Sequence, residues 1–379
     1  MSSRKAAESF EAVLRWNQML LEIFGINSYN PDFRMRLNTL ALLLLASLFT
    51  AISVINLFLF RADSFAFIFV MVTLCFAVIG WSRVGYLLLD PSSFADVLND
   101  AKRIYRDASQ DPSTQQILLK YIAVLKRFAY IYATAVVIGS VGTTLLPFVV
   151  LLITGERTLP FGVLVPYTDV ETENGYWINL FYQISCFIWT PPGMVGTVNI
   201  YFALIFSICV KYDILMLKLD EFDELILSNS NENQRSKIND AIVEIVKYHM
   251  SLIAFVDKIE SLFSPQMLIE INCSALQIIV ALFVMIIVFL GIFMGTFQML
   301  LLCALGTLID MKSDMFVYRI YNISWHLLKP SEQKSIQLIL SKSQRPLILT
   351  YGGFAVLNMN FFVQVYKMIY SQFMLLQSM

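Results

Sequence analysis

Histidine is scarce in this chain, and that scarcity argues against most kinds of catalytic or metal-binding site. The 379 residues include two histidines, His249 and His326, and neither stands in a CxxC-like or HExxH-like metal motif. No phosphate-binding glycine loop occurs either. The sequence therefore predicts no enzyme activity, no metal and no cofactor. The chain also has no excess of charge of either sign, and its net charge of −1 gives no reason to expect a nucleic-acid partner.

Long apolar runs are what the chain has in abundance. Hydrophobic residues make up 58% of the sequence, and the mean hydropathy is +0.67. Each run is long enough to cross ~30 Å of hydrocarbon as a helix, whereas barrel strands would show short alternating patterns. We therefore predict an all-α membrane protein with seven transmembrane helices in a lipid bilayer. The runs are 38–60, 65–88, 128–153, 177–210, 266–289, 292–311 and 355–377.

The basic residues alternate between the segments that separate these runs. Because basic residues stay on the cytoplasmic side of a membrane, the alternation predicts a cytoplasmic N-terminus and an extracellular C-terminus. This topology is the reverse of that in G-protein-coupled receptors. Lys and Arg are concentrated in 1–37, 89–127, 211–265 and 312–354, while 61–64 and 154–176 carry one each.

Local signals divide the chain further. An amphipathic pattern in 1–37 predicts a helix lying at the inner membrane surface or dipping into it. Asp90-Pro91 and Asp111-Pro112 predict helix starts. Apolar stripes in 211–265 predict a cytoplasmic extension of the fourth and fifth helices. The remaining divisions are 38–210 for the first four spans, 266–311 for the fifth and sixth, 312–351 for cytoplasmic helices, and 352–379 for the last span.

The fourth run is interrupted by Pro191-Pro192-Gly193. Two prolines remove helix hydrogen bonds and bend or break a helix. Two interpretations stay open at this point: an ordinary kink against neighbouring helices, or a break that makes space for a ligand within the membrane. The turn-rich segment 154–176 could cover such a pocket.

An ordered set of features near the C-terminus resembles the signature of insect odorant receptors. A cytoplasmic helix is predicted over 331–350, and one departure is Tyr351, where family members often have Ala before the glycine pair. The set comprises Tyr321-Asn322-Ile323-Ser324-Trp325, a turn at Pro330, Ser343-Gln344-Arg345-Pro346-Leu347, Gly352-Gly353, Phe362, Lys367 and Tyr370-Ser371.

The resemblance implies an odorant-gated, non-selective cation channel subunit in the plasma membrane of an olfactory neuron dendrite. Its implied partners are a small volatile odorant, a shared co-receptor subunit in a heterotetramer, and permeating monovalent and divalent cations. Gly352 and Gly353 would be a flexible point dividing the seventh helix into a cytoplasmic and a membrane half. The membrane half would line the pore, with Met374, Gln377 and Ser378 near its outer mouth.

Lys367 lies in the middle of this last run, where an ammonium costs about 3 kcal/mol unless it meets water or a partner. It is predicted to face an aqueous pore or side exit, the alternatives being snorkelling or a buried ion pair. The resemblance places the odorant pocket among the second, third, fourth and sixth spans. The candidate ligand residues there are Phe67, Met71, Gly139, Gly142, Thr143, Tyr182, Gln183, Cys186, Phe187, Phe293 and Phe297.

The sequence leaves three other functions open. A gustatory-type channel of the same superfamily would bind soluble tastants and need no co-receptor. A metabotropic receptor would need a cytoplasmic C-terminus and typically a cysteine in an outside loop, which this chain lacks. A secondary transporter could use the broken fourth helix, but seven spans without visible inverted halves argue against it.

Overall fold

A computed structural model describes residues 4–27, 35–228, 233–284 and 289–377. One 3-10 helix, Trp325–Leu327, and two short strands, β1 (Thr350–Tyr351) and β2 (Ala355–Val356), accompany the α-helices. The helices are α1 (Arg4–Glu22), α2 (Leu37–Leu59), α3 (Ser64–Leu89), α4 (Pro91–Ala108), α5 (Pro112–Thr154), α6 (Glu173–Phe187), α7 (Thr190–Leu227), α8 (Asn233–Val284), α9 (Phe289–Asn322), α10 (Pro330–Ser343) and α11 (Met359–Gln377).

The all-α fold class is confirmed, with one two-stranded hairpin as its exception. The sixth and seventh apolar runs correspond to α9 and α11. Within the described residues, five segments are long and apolar enough to cross a membrane by length and composition. They are Leu37–Leu59, Ser64–Leu89, Pro112–Thr154, Glu173–Leu227 and Ser236–Val280.

Several helices are much longer than a bilayer is thick. The helix α8 has 52 residues and α5 has 43, so at 1.5 Å per residue α8 is about 78 Å long. Because the hydrocarbon core is only ~30 Å thick, these helices must extend beyond it. That residues 211–228 of α7 and 233–264 of α8 lie outside the hydrocarbon stays a prediction from their apolar stripes.

The two Asp-Pro starts are confirmed as helix N-caps. The carboxylate of Asp90 accepts a hydrogen bond from the backbone N–H of Ser93 at 3.0 Å, and that of Asp111 accepts one from Ser113 at 3.0 Å. A proline follows each cap in the first turn, where its missing N–H would have no helical partner.

The apolar side of α1 is covered by protein. Phe10 is fully buried and stacks on Tyr105 of α4, with ring centroids 3.7 Å apart and an interplanar angle of 11°. Leu21 packs where Gly196 of α7 leaves room for it. The helix is therefore part of the folded core, in contact with α4, α5 and α7. That this helix lies at the inner membrane surface or dips into it stays a prediction.

The segment before the last helix differs from the prediction. We predicted a helix over 331–350, but α10 ends at Ser343. Pro346 disfavours the helical conformation for the residue before it, so the chain turns extended there. Gly352 and Gly353, with φ of +59° and +77°, form the turn between β1 and β2. A hairpin whose turn needs two residues with positive φ therefore stands where we predicted a flexible point inside one helix.

Candidate functional site

A cavity of about 190 Å³ lies between α2, α3 and the break that separates α6 from α7. We call it the membrane cavity. Its wall is apolar and rich in aromatic rings, which suits dispersion and ring-stacking contacts with a small organic molecule. The residues that line it include Phe24, Leu42, Ala46, Phe49, Thr50, Thr73, Phe76, Ala77, Gly80, Trp81, Arg83, Phe161, Cys186, Phe187, Trp189, Gly193, Met194 and Thr197.

The proline pair creates the opening on one side of this cavity. Helix α6 ends at Phe187, and α7 restarts at Thr190 with the prolines in its first turn, where they are tolerated. Phe187, Trp189 and Gly193 around the break all face the cavity. The structure thus supports the interpretation that the interruption makes space within the membrane.

The segment between α5 and α6 closes the cavity from one end. Buried Asn56 of α2 donates to the carbonyl of Leu164 at 2.8 Å and accepts from its N–H at 3.0 Å. These bonds fix the segment across the helices. Phe161, in the same segment, lines the cavity and packs on Phe187 with ring centroids 5.1 Å apart. The segment therefore covers the pocket, as its turn-rich composition suggested.

Gln183, predicted as a ligand residue, is bonded instead to the segment between α5 and α6. Its amide oxygen accepts from the N–H of Phe161 at 2.9 Å, and its nitrogen donates to the carbonyls of Phe161 and Val163 at 3.1 and 2.6 Å. The side chain is fully buried and does not line the cavity. Gln183 thus holds the covering segment and lies outside the wall of the membrane cavity. Tyr182 stands behind the wall, with its ring 6.4 Å from that of Phe49.

Two of the predicted ligand residues, Cys186 and Phe187, line the membrane cavity. Among the described lining residues, none comes from α5 or α9, so the wall does not include the predicted residues of the third and sixth spans. Phe293 and Phe297 stack on each other at 6.1 Å instead. The predicted residues outside this wall are Phe67, Met71, Gly139, Gly142, Thr143, Tyr182, Gln183, Phe293 and Phe297.

Sequence reasoning missed much of the wall, because its residues come from separate parts of the chain. Trp81 and Phe49 carry no signal beyond ordinary apolar spans. Phe24 follows α1, and its ring lies 6.1 Å from that of Trp189. No periodicity could show that the N-terminal helix reaches the break in the fourth run.

The polar side chains in the wall are largely occupied within the protein. The hydroxyls of Thr50, Thr73 and Thr197 donate to carbonyls four residues earlier in their own helices, at 2.8 to 3.0 Å. The indole N–H of Trp81 donates to the Thr50 hydroxyl at 3.0 Å. The cavity therefore presents a mainly apolar surface, suited to a compact apolar molecule.

Arg83, at one edge of the cavity, forms a buried ion pair with Glu270 of α8. The two donor–acceptor distances are 2.7 and 3.3 Å, and both side chains are 3% exposed. The carboxylate also accepts hydrogen bonds from Gln298 of α9 and, at 3.5 Å, from Gln266. The pair joins the cavity wall to α8 and α9. The sequence contains a signal for this ion pair, because Arg83 and Glu270 are charged residues within the apolar runs 65–88 and 266–289.

The last helix has one buried and one exposed face within the chain. Val365 and Ile369 pack against the core, while the other face carries polar side chains at spacings of four, three and four residues. Lys367 on this face forms no ion pair with any described residue. A polar stripe within the exposed side consists of Asn360, Gln364, Lys367 and Ser371 and leads to Met374; it is flanked by the exposed apolar residues Val363, Met368, Tyr370 and Leu375.

Of the three residues predicted for the outer mouth of the pore, Met374 alone has a described side chain. Ser378 lies outside the described residues. Gln377 is the last residue of α11, and its side chain is outside the described part of the chain. Met374 is 45% exposed in the isolated chain.

Comparisons with known proteins agree with this architecture. The 7tm Odorant receptor family model matches residues 63–370. Odorant receptor 30a of Drosophila melanogaster is 24% identical over 59% of this chain and 60% of its own length; Odorant receptor 10 of Aedes albopictus is 23% identical over 78% of this chain and 80% of its own. The structure of the insect olfactory receptor OR5 from Machilis hrabei in complex with eugenol superposes with a TM-score of 0.78 at 14% identity, over 98% of this chain and 99% of that one.

Proposed function

The chain belongs to the insect odorant receptor family, and we propose that it is the odorant-binding subunit of a non-selective cation channel. The family's members are ligand-gated channels, and the fold is that of a multi-pass plasma-membrane protein. The family model that matches is that of odorant receptors, which gives the gustatory-type alternative no support. The observation that carries the proposal is the apolar cavity at the break in the fourth span.

A small volatile molecule is the ligand that this cavity suits. Its volume of about 190 Å³ and its aromatic walls fit a molecule of roughly ten heavy atoms, and few polar groups are free to select a charged one. The solved complex of OR5 with eugenol supports a small organic ligand for this fold. The competing location is the set of predicted residues on the third and sixth spans, such as Thr143 and Phe297.

The polar face of α11 supports a role as pore-lining helix. A transmembrane helix exposes polar side chains only toward water or other subunits, and no residue that the structure describes covers this face. Four such helices around a symmetry axis would enclose a polar path, with Lys367 and Ser371 in the same stripe. We place Met374, Gln377 and Ser378 at its outer end.

Association with co-receptor subunits is supported by an apolar stripe at the inner end of α9. Met311, Met315 and Tyr318 are spaced four and three residues apart and are 56%, 51% and 70% exposed. An exposed apolar stripe of this kind is typical of a surface that another subunit covers. We assign it to contacts within the heterotetramer.

A glycine pair on α3 allows a sharp test of the ligand site. Gly80 lines the membrane cavity, while Gly85 on the same helix does not, and no atom lies within 4 Å of a Cβ added at either. Gly80→Leu therefore starts from an unobstructed Cβ and places its side chain in the cavity wall, and Gly85→Leu is the matched control. Four added carbons displace about four ligand atoms at roughly 0.3–0.7 kcal/mol each, so the EC50 should rise about 8- to 100-fold.

The measurement is odorant-evoked current in oocytes that co-express the co-receptor, with an odorant first found from a panel of volatiles. Gly80→Leu should raise the EC50 at unchanged surface expression, while Gly85→Leu should leave it unchanged. Thr143→Leu tests the competing location. A shift with Thr143→Leu and none with Gly80→Leu would place the ligand between the third and sixth spans and contradict the assignment to the membrane cavity.

A further inference from the structure

A second cavity, of about 160 Å³, lies among α8, α9, α10 and the extended residues that follow α10. We call it the anchor cavity. It is separate from the membrane cavity and shares no lining residue with it. Its polar lining comprises Tyr212 of α7 together with His249, Asp257, Ser313, Lys342, Ser343 and Arg345.

The buried histidine is the first indication of a ligand. His249 is 5% exposed, its ring lies 5.2 Å from that of Phe316, and it forms no hydrogen bond with any described residue. Burial, together with the nearby Lys342 ammonium, lowers the pKa of His249 to about 4. The imidazole is therefore neutral at cytosolic pH, with one N–H to donate. A buried polar ring of this kind is costly without a partner, and it lines an open cavity.

The two cations at the cavity are the second indication. Lys342 and Arg345 form no ion pair with a described residue, whereas Arg319 on α9 pairs with Asp220 and Lys258 pairs with Asp100. One carboxylate, Asp257, also lines the cavity, which leaves the lining a net charge of +1. The net charge and the free donors suit an anion with a single charged group.

We propose that the anchor cavity binds a phosphate group from the cytoplasmic side. A guanidinium, an ammonium, a neutral imidazole N–H and a serine hydroxyl are donors that tetrahedral oxyanions use in proteins. Ser313 is buried in the lining, so its hydroxyl can add a contact behind the two cations, whereas the Ser343 hydroxyl donates to the carbonyl of Ile339 at 2.7 Å. The phosphate can belong to a soluble metabolite or to a lipid headgroup.

The occupant would connect three helices just before the chain enters the hairpin and α11. His249 and Asp257 belong to α8, Ser313 to α9, and Lys342 to the last turn of α10. This inference does not depend on odorant binding, and its test needs no odorant.

The test uses the full chain, purified in nanodiscs of phosphatidylcholine, with inorganic phosphate as the soluble probe and chloride at equal ionic strength as the reference. Phosphate should raise the melting temperature in a saturable way. The double variant Lys342→Gln/Arg345→Gln should raise the half-saturating phosphate concentration about tenfold or more, because two charge-assisted contacts are lost. Lys334→Gln, also on α10 but outside the lining, is the matched control and should behave like the wild type.

A second arm identifies the source of the phosphate. Vesicles with and without phosphatidylinositol phosphate are offered to the same protein and variants. Binding that requires Lys342 and Arg345 supports the site in either arm, with a soluble source if inorganic phosphate suffices and a lipid source if the vesicle lipid is needed. Equal binding by the double variant and the wild type, or no binding in both arms, overturns the proposal. His249→Phe keeps a ring against Phe316 and should weaken binding. Because the substitution also removes a buried imidazole that has no hydrogen-bond partner among the described residues, the melting temperature in chloride should not fall below that of the wild type.

Discussion

The buried ion pair between Arg83 and Glu270 gives the account its most demanding stability prediction. Both side chains are 3% exposed, and the carboxylate is surrounded by Arg83, Gln266 and Gln298. Arg83→Met or Glu270→Met removes one charge and leaves the other buried without its partner. The double variant Arg83→Met/Glu270→Met removes both charges and replaces them with apolar side chains of similar length.

The expected sizes follow from the geometry of the pair. Two unit charges about 4 Å apart attract by about 4 kcal/mol at an effective dielectric constant of 20, and stranding one partner of a buried pair costs about 3–5 kcal/mol. Each single variant should lose roughly that much stability. The double variant should lose much less, because replacing a whole buried pair with apolar residues is often neutral.

The assay is the melting temperature of the purified protein in detergent, combined with surface expression in cells. Both single variants should melt well below the wild type, and the double variant should recover most of the loss. Lys258→Met, which breaks an exposed pair with Asp100, is the control and should have almost no effect. Single and double variants with the same melting temperature would refute the view that the pair holds α3 against α8 by its charges.

Three further predictions follow from other features. Asn56→Leu removes two partly buried hydrogen bonds to Leu164, so the covering segment should loosen by about 2 kcal/mol and be cleaved faster at Arg157 by trypsin. An unchanged cleavage rate would contradict the anchoring role of Asn56. The pKa of His249 in the folded protein lies below its ordinary value of 6.5, so the neutral ring contributes stability above pH 6.5 that is lost as the pH falls toward 4. The melting temperature of His249→Phe should therefore depend less on pH in that window than the melting temperature of the wild type. An identical pH dependence would contradict this role of His249. Lys367→Met should raise cation conductance in single-channel recordings, since it removes a positive charge from the proposed pore face, and an unchanged conductance would move Lys367 off the pore.

Much of the fold could be predicted because its signals are local. Apolar runs of sufficient length fix the spans, and Asp90-Pro91 marks a helix start by chemistry contained within a few residues. The proline pair in the fourth run shows where a helix breaks without reference to any other part of the chain. These features need no knowledge of which helices are neighbours.

The site depends on neighbours, and this is where sequence reasoning stopped. Arg83 and Glu270 are 187 residues apart, and nothing in either run indicates that α3 packs along α8. Gln183 has the composition of a ligand contact, yet the backbone groups of the segment at Phe161 take all of its hydrogen bonds. Gly352-Gly353 suits a hinge or a hairpin turn equally, and only the pairing of the flanking strands decides.

The central claim is that a volatile ligand opens a cation pore in this protein's own assembly. Current through outside-out patches from cells that co-express the chain and the co-receptor tests it most directly, with no nucleotide in the pipette. We predict that an active odorant evokes current that reverses near zero in symmetrical salts. A response that requires GTP, or silence to every volatile despite surface expression, would contradict the account.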